Sequence, residues 1–448
     1  MNYFYELFMI IHKKIELNKK QYINSISKMK TKVTCKKVGV TLKTGTTSDE
    51  SKELTIVETF VGAGGAHLGF KQAGFKSLLV NDFDKDTIQT LLENKEIDED
   101  KYLLCPIEEI TETMMKDKMG DKKVDVLFGG IVCKGFSLAG VRNPFDPRNY
   151  LYKHQLRLVK LLKPKVSVIE NVTAIKNMIL YDKCDETQKT FDDYTKLSDV
   201  NKLLNGEKSS KRKNGEDYSE LNTEINKNKK NMEELLKNID KYKYSVLDDI
   251  KKMYQELGYT FYEKILQTDK YGGYTNRKRI IMVAVRNDIT KKYEYPNELD
   301  SKLTLNDALN LIDYSGINNP NIDEDNKSMK HNKKTVDRFK LIPEGSNIAD
   351  VVDDLPEELK ISAFYSRGNT QRLDRNQPAP TLVPGHSNFP IHPYEHRSIT
   401  VREAATITGF PLNYKFCGSH TSRCIQIGNA VPVQLSYHIA LSVKKILE

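Results

Sequence analysis

Two periods of apolar positions run along this chain. Thr55–Phe60 is a short β-rich run that stops at a glycine turn, Phe60-Val61-Gly62-Ala63-Gly64-Gly65. Ala66–Ala73 then has helical spacing and is closed by Gly74. Ser77–Val80 predicts a second strand, ending in Asn81-Asp82-Phe83-Asp84. Val124–Phe128 and Val166–Ile169 are further apolar strands, and between them Tyr150–Leu162 reads as a helix that stops before Pro164. Phe261–Leu266 and Arg279–Val285 add two strands, expected at the far edge. Strands alternating with helices predict an α/β fold with a parallel sheet covered on both faces.

The rhythm breaks twice. Residues 176–231 are rich in Lys, Asp, Asn and Glu and include Lys208-Ser209-Ser210-Lys211-Arg212-Lys213. We read them as a solvated, charged insertion rather than a DNA-binding arm. Within it, Asp185–Asn214 shows no dense apolar pattern and is expected to be dispensable for chemistry. From Leu221 a stripe through Ile225, Met232, Leu235, Ile239, Tyr242, Val246, Ile250, Met253 and Leu257 predicts a helix closed by Gly258. Its last turns should pack on the sheet and its first turns should project as a hairpin. The second break is the proline-rich segment 289–395, read as a separate, smaller domain. After it, Val401–Thr408 predicts a helix capped by Thr400 with Glu403 three residues on, and Val433–Leu447 a closing helix. The resulting division is an extension over 1–53, a catalytic domain over 54–288, the smaller domain over 289–395, and a return segment over 396–448.

Composition narrows the class. The chain has 448 residues, 38% hydrophobic and 29% charged, which suits a soluble protein with a sizeable core and long solvated segments. A formal net charge of +9 is compatible with a nucleic-acid partner and equally with simple solubility. The six cysteines include no CxxC pair, so neither a zinc site nor a disulfide framework is expected, and a reducing cytoplasmic compartment fits. The apolar run Tyr3 to Ile11 is too short to span a bilayer. Met29 is a second candidate start.

Candidate chemistry gathers at the strand ends. Cys133 stands just past an apolar strand in Gly129-Gly130-Ile131-Val132-Cys133-Lys134-Gly135-Phe136-Ser137, placed to be presented rather than packed. The glycine turn after the first strand has the arrangement that offers backbone N–H groups to a cofactor. It lacks the third glycine of a nicotinamide-binding turn. Asp82, at the end of the next strand, is placed for ribose hydroxyls and Phe83 for an adenine face. Glu170 ends another apolar strand, where a carboxyl is unfavourable unless it faces a site.

Taken in order, these pieces, with Glu170-Asn171-Val172, Asn276-Arg277-Lys278-Arg279 and Gly428-Asn429-Ala430-Val431-Pro432, resemble the cytosine-carbon-5 DNA methyltransferases of restriction-modification systems. The resemblance runs from about Thr55 to the C-terminus. It implies a Rossmann-like S-adenosylmethionine-dependent methyltransferase domain joined to a smaller, irregular target-recognition domain. It implies a catalytic set of Cys133, Glu170, Arg277 and Arg279, with Arg279 on the cytosine carbonyl. For S-adenosyl-L-methionine it implies Phe60, Gly62, Gly64, Gly65, Asp82, Phe83, Ile107, Gly130, Leu151, Asn429 and Ala430. Lys134, Ser137, Arg148, Arg367 and Arg372 become candidate DNA contacts, beside Gln371 and Arg375, and Asp146 and Arg148 are expected in a mobile loop that closes over DNA. The implied partners are double-stranded DNA and a cognate restriction endonuclease, with no metal, no membrane and a monomeric state. The chain departs from the family at Ile131, Val132 and Lys134 around the cysteine, at Thr275, and at Pro106. These departures put contact details in doubt and leave every reacting group in place. A tRNA-methylating relative of the same fold and a catalytically silent DNA-binding homologue remain open as alternatives.

Overall fold

The computed structural model describes residues 53–131, 143–300, 302–360, 370–383 and 389–448. Cys133, Lys134, Ser137 and Arg367 lie outside them, as does the extension over 1–52. Nine strands are described: β1 Thr55–Thr59, β2 Lys76–Asp82, β3 Tyr102–Leu104, β4 Val126–Gly130, β5 Val166–Asn171, β6 Ile179–Tyr181, β7 Lys243–Ser245, β8 Tyr259–Gln267 and β9 Lys278–Arg286. The helices, in chain order, are α1 Gly65–Gln72, α2 Lys85–Glu93, α3 Glu112–Met119, α4 Leu151–Leu162, α5 Asp185–Asn214, α6 Ser219–Asn238, α7 Val246–Glu256, α8 Leu305–Leu309, α9 Lys333–Leu341, α10 Val401–Thr408, α11 His420–Asn429 and α12 Val433–Leu447.

Seven strands form one sheet in the order β3-β2-β1-β4-β5-β9-β8. The pairs β1–β2, β1–β4, β2–β3 and β4–β5 are parallel, whereas β9 runs antiparallel to both β5 and β8. The expected parallel sheet is therefore corrected to a mixed one. β8 is joined to β9 by residues 268–277, fewer than the roughly dozen that a parallel crossover needs, so the two pair as an antiparallel hairpin. The consequence matters for the site. The parallel strands end at one edge, and β9 starts at that same edge.

The sheet is buried on both faces. One core packs Val57, Leu127, Ile169, Ile280 and Met282 against Leu156 and Val159 of α4 and Ile250 and Tyr254 of α7. The other packs Ile56, Val126, Val168 and Val283 against Phe70 of α1 and Leu435, Ile439 and Val443 of α12. A third cluster joins Ala63 and Leu68 of the N-terminal half to Leu305, Leu373, Phe389, Val401 and Cys424. Segment 289–395 thus contributes to that shared core and also has a small one of its own, Phe339, Ile342, Ile348, Leu355 and Ile391.

Capping explains the best-matched helix. Thr400 accepts from the Glu403 amide while Glu403 reaches back to the Thr400 amide, and α10 spans the predicted Val401–Thr408. The long stripe from Leu221 is corrected to two helices, α6 and α7, separated by β7, which pairs antiparallel with β6. The solvated insertion is likewise corrected. It folds as the helical hairpin α5–α6, with Phe191, Tyr194, Leu221, Ile225 and Met232 buried. Its period was hidden because polar residues share the buried face: Thr187, Ser198, Asn201 and Asn228 are buried too, and Asn228 Nδ2 donates to Asn201 Oδ1 at 3.0 Å.

Candidate active site

The strand ends assemble the site. After Thr59 the chain turns at Phe60, a non-glycine residue with φ 51°, in the left-handed region. Such a conformation costs roughly 1–2 kcal/mol per residue and persists only where neighbours over-determine it. Here the next amides are already bonded: Val61 N–H donates to the Asn81 carbonyl at 3.1 Å, Gly62 N–H to Asp82 Oδ2 at 3.0 Å and Gly64 N–H to the Val61 carbonyl at 3.1 Å. The turn therefore does not offer these three amides to a ligand, which corrects the expectation drawn from its glycines. Gly65 serves a different purpose. A Cβ there would lie 2.1 Å from the Val431 carbonyl oxygen, so the glycine lets the C-terminal segment press against the start of α1.

A cleft opens beside this turn. Its walls are Phe60, Val61, Gly62, Ala66, Asp82, Phe83, Asp84, Thr87, Phe128, Gly130, Glu170, Ile425, Gln426, Asn429, Ala430 and Val431. Of the residues assigned to a cofactor, Phe60, Gly62, Asp82, Phe83, Gly130, Asn429 and Ala430 line it. Gly64, Gly65, Ile107 and Leu151 do not: the two glycines serve close packing, and Ile107 and Leu151 point into the core with Leu156 and Val159. Thr87, Asp84, Ile425 and Gln426 went unnoticed in the sequence. Gln426 is fixed by Thr90 Oγ1, 2.7 Å from its Oε1, and by its own bond to the Cys417 carbonyl at 2.8 Å. The only signal for it was its position just before Gly428-Asn429.

Asp82 is buried, and desolvation raises its carboxyl pKa above the usual range, partly offset by bonds from the Asp84 and Gly62 amides. Phe83, by contrast, is 59% exposed on the wall of the cleft, so its ring is accessible to a bound group. A buried carboxylate beside an uncovered flat ring, with Asn429 across the cleft, fits a nucleoside carrying an amino-acid tail. The residues present therefore suit S-adenosylmethionine.

Glu170 and Arg279 meet where β5 ends and β9 begins. Glu170 sits opposite Gly130 in the β4–β5 register and opposite Ile281 in β9. Arg279 Nε lies 2.8 Å from Glu170 Oε1. That contact satisfies the distance of an ion pair but not the angle of a hydrogen bond, so Oε1 keeps an open acceptor position although it is buried. Arg279 anchors itself through Nη1 to the Lys278 carbonyl at 2.7 Å. Arg277 is placed differently. It is buried, and Nη1 donates to the Gly428 carbonyl at 2.8 Å, with Nη2 3.4 Å from the Asn429 carbonyl. Burial, and then the like charge of Arg279, hold its guanidinium pKa below the ordinary range. It ties the Gly428-Asn429 turn to the strand that carries Arg279 and cannot reach a phosphate.

Asn171, next after Glu170, donates to the Ile131 carbonyl at 3.4 Å. Ile131 is the last described residue before Cys133. Downstream, Arg148 is exposed and its guanidinium pairs with Asp146, lowering that carboxyl's pKa.

Arg372 is corrected outright as a DNA contact. It is buried, and its guanidinium donates to the carbonyls of Ile342 and His392 at 2.7 Å and Glu395 at 2.8 Å, as well as to that of Phe339. An arginine that satisfies four carbonyls inside a small core holds loops together. We expect Arg372→Ala to lower stability by about 3 kcal/mol or more, because it orphans those carbonyls. Thermal unfolding would show this as a clear drop in Tm. A variant of unchanged Tm with weakened DNA binding would restore the base-reading role. Gln371 is half-buried, and Arg375 is paired with Glu344 at 2.8 Å and lies over the Tyr394 ring.

Comparison with known proteins agrees with this arrangement. The family model of C-5 cytosine-specific DNA methylases matches residues 54–195 and 230–445. The type II methyltransferase M.Eco47II of Escherichia coli is 29% identical over 405 residues, covering 88% of this chain and 79% of that protein. M.PspPI of a Psychrobacter strain is 29% identical over 413 residues, 89% of this chain and 81% of its own. Among solved structures, a prophage-encoded DNA modification methyltransferase of E. coli shares the fold, with a TM-score of 0.58 at 20% identity over 88% of this chain and 99% of its own. With a family model matched across most of its length and strand ends arranged around one cleft, this chain belongs to the C-5 cytosine-specific DNA methylases.

Proposed function

We propose that this DNA (cytosine-5-)-methyltransferase acts on a cytosine flipped out of a specific duplex DNA sequence, through a transient covalent adduct with Cys133. The observation that carries the reading is the Glu170–Arg279 pair beside Gly130, three residues before Cys133. A trans chain of three residues spans at most about 11 Å. That short reach supports Cys133 as the nucleophile for a base held by the pair.

Carbon 5 of cytosine is a poor nucleophile. Addition of the Cys133 thiolate to carbon 6 makes the ring an enamine, and carbon 5 then takes up the methyl group. Loss of the carbon-5 proton and expulsion of the thiolate restore the aromatic ring. Glu170, with an open acceptor position, would bond the N3 and amino edge of the flipped base, and Arg279 its carbonyl. Asp82, Phe83 and Asn429 would hold S-adenosylmethionine, which supplies a methyl group on a cationic sulfur. Flipping costs a few kcal/mol, offset by such bonds to the extruded ring. The segment 289–395 would read the bases. Protection of DNA from a cognate restriction endonuclease, and action as a monomer, complete the proposal.

The test uses duplex DNA with fluorine at carbon 5 of the target cytosine. No proton can then leave after methylation, so enzyme and DNA should stay joined and survive denaturing electrophoresis in the presence of S-adenosylmethionine. The expected outcome is a near-stoichiometric complex with duplex DNA that is lost in Cys133→Ala. A complex with tRNA alone, or none despite tight DNA binding, would overturn this reading.

A further inference from the structure

Two walls of the cofactor cleft are tied to one acidic turn. The glycine turn, with Gly62, is one wall, and α11, with Ile425, Gln426 and Asn429, is another. Phe60, Gly62 and Gly64 have φ of 51°, 54° and 89°, so three of five consecutive residues lie in the left-handed region. A turn of that kind persists only where its surroundings hold it. One anchor comes from 351 residues away: Tyr414 Oη donates to the Ala63 carbonyl at 2.8 Å. Tyr414 is buried, and burial pushes its phenol well above the ordinary range, so it stays a donor throughout the neutral range.

The loop that carries Tyr414 is clamped by two elements. From α2, Thr90 Oγ1 accepts from the Cys417 amide at 2.9 Å, and Asn94, just past that helix, exchanges two bonds with the backbone of Lys415, at 2.9 and 2.7 Å. From the segment 289–395 comes a 3-10 turn, Glu324–Asn326, capped by Asp323. Asp325 Oδ2 accepts from the Phe416 amide at 3.1 Å. Arg402 donates to Asp323 Oδ2 at 2.7 Å and to the Tyr414 carbonyl at 2.7 Å. The same acids hold α11. Arg423 donates from Nη1 to Asp325 Oδ1 at 3.1 Å and from Nη2 to Glu324 Oε1 at 2.8 Å. Gln426 follows it by about one helical turn. Asp325 thus has one oxygen on the loop that anchors the glycine turn and the other on the helix that forms the second wall.

We propose that the acidic turn 323–325 braces the S-adenosylmethionine cleft, with Tyr414 and Arg423 as positioning residues: the first sets the glycine turn, the second sets Gln426 and Asn429. Neither lines the cleft itself. The inference rests on the reading of this cleft as the cofactor site. It gives the segment 289–395 a duty toward the cofactor, besides the base reading proposed for it.

Tyr414→Phe, Arg423→Met, Arg423→Lys and Asp325→Asn in the full chain test it. Asp337→Asn is the control, since its partners Lys333 and Lys340 are both on its own helix, α9. The first readout is amide hydrogen exchange of peptides covering 60–65 and 420–430 without cofactor, which needs no turnover. The second is S-adenosylmethionine affinity by calorimetry, and the third splits KM for the cofactor from kcat. We expect Tyr414→Phe to speed exchange in 60–65 at least threefold and Arg423→Met to do so in 420–430, with Asp325→Asn raising both. Affinity should fall at least threefold in each of the first two and at least tenfold in Asp325→Asn, with the loss in KM rather than kcat. Arg423→Lys should recover part of it, and the control should match the wild type. Unchanged exchange and affinity in Tyr414→Phe and Arg423→Met overturn the proposal, and so does a uniform rise in exchange across the sheet, which would make these residues ordinary core. If Asp325→Asn does not fold, those two variants decide. If the wild type binds no S-adenosylmethionine, the reading of the cleft fails, and the exchange pattern still decides whether the turn braces its two walls.

Discussion

Cys133→Ala should abolish methyl transfer, by at least about a thousandfold, while S-adenosylmethionine still binds within about threefold of its wild-type affinity. The asymmetry follows from where the two functions reside. The cofactor cleft is built from strand ends and from α11, with Asp82, Phe83, Gln426 and Asn429 on its walls. None of these depends on a thiol. In the proposed mechanism the transfer step does, because without addition at carbon 6 carbon 5 stays unreactive. Other cysteines provide the control. Cys417 and Cys424 both have thiols pushed up by burial, Cys424 to about 12, so neither supplies a thiolate near neutral pH. Cys417→Ala and Cys424→Ala should leave turnover within about twofold, with Cys424→Ala costing roughly 1 kcal/mol of stability for its buried sulfur. Counting labelled methyl groups on duplex DNA, with calorimetry for the cofactor, separates the outcomes. Substantial transfer by Cys133→Ala would remove the cysteine from the mechanism.

How much of this was legible depends on where the signal was local. Capping chemistry is local, so Thr400 with Glu403 marked α10, and apolar runs marked the strands to within a few residues. The strand-end carboxylates were legible for the same reason: Glu170 and Asp82 close apolar runs, and such groups stand out. Pairing direction is not local. Nothing in Arg279–Val285 tells whether it runs with or against β5, although that direction delivers Arg279 to the site. Buried polar faces were also invisible. Asn201 pairing with Asn228 looks like solvated helix until the two are seen together, and that is why the hairpin read as an insertion. Arg372 shows the converse. An arginine in a proline-rich segment invites a nucleic-acid role, yet burial turns the same donors to carbonyls.

Glu170→Gln should lower kcat by about 10²- to 10⁴-fold, the range expected when a group that bonds or protonates a reacting ring is lost. Six consecutive residues of β5 are buried, and Glu170 is the one acidic member. Arg279 lies against it as a counter-charge, and glutamine keeps the shape but removes the carboxylate. Two consequences follow. Arg279 loses its counter-ion at the rim, which should destabilise the fold by less than the 3–5 kcal/mol of a fully buried broken pair. The acceptor position now open on Oε1 also becomes a neutral amide that cannot hold a protonated N3. The double variant Glu170→Gln with Arg279→Met distinguishes the two. Relieving the orphaned cation should recover Tm, whereas kcat should stay at the floor set by the single change. Trapping on fluorinated DNA should slow in parallel with kcat, because in the proposed mechanism Glu170 acts before or during the addition of Cys133. If Glu170→Gln transferred methyl groups at the wild-type rate while Tm fell, the pair would be a bridge between β5 and β9 and nothing more.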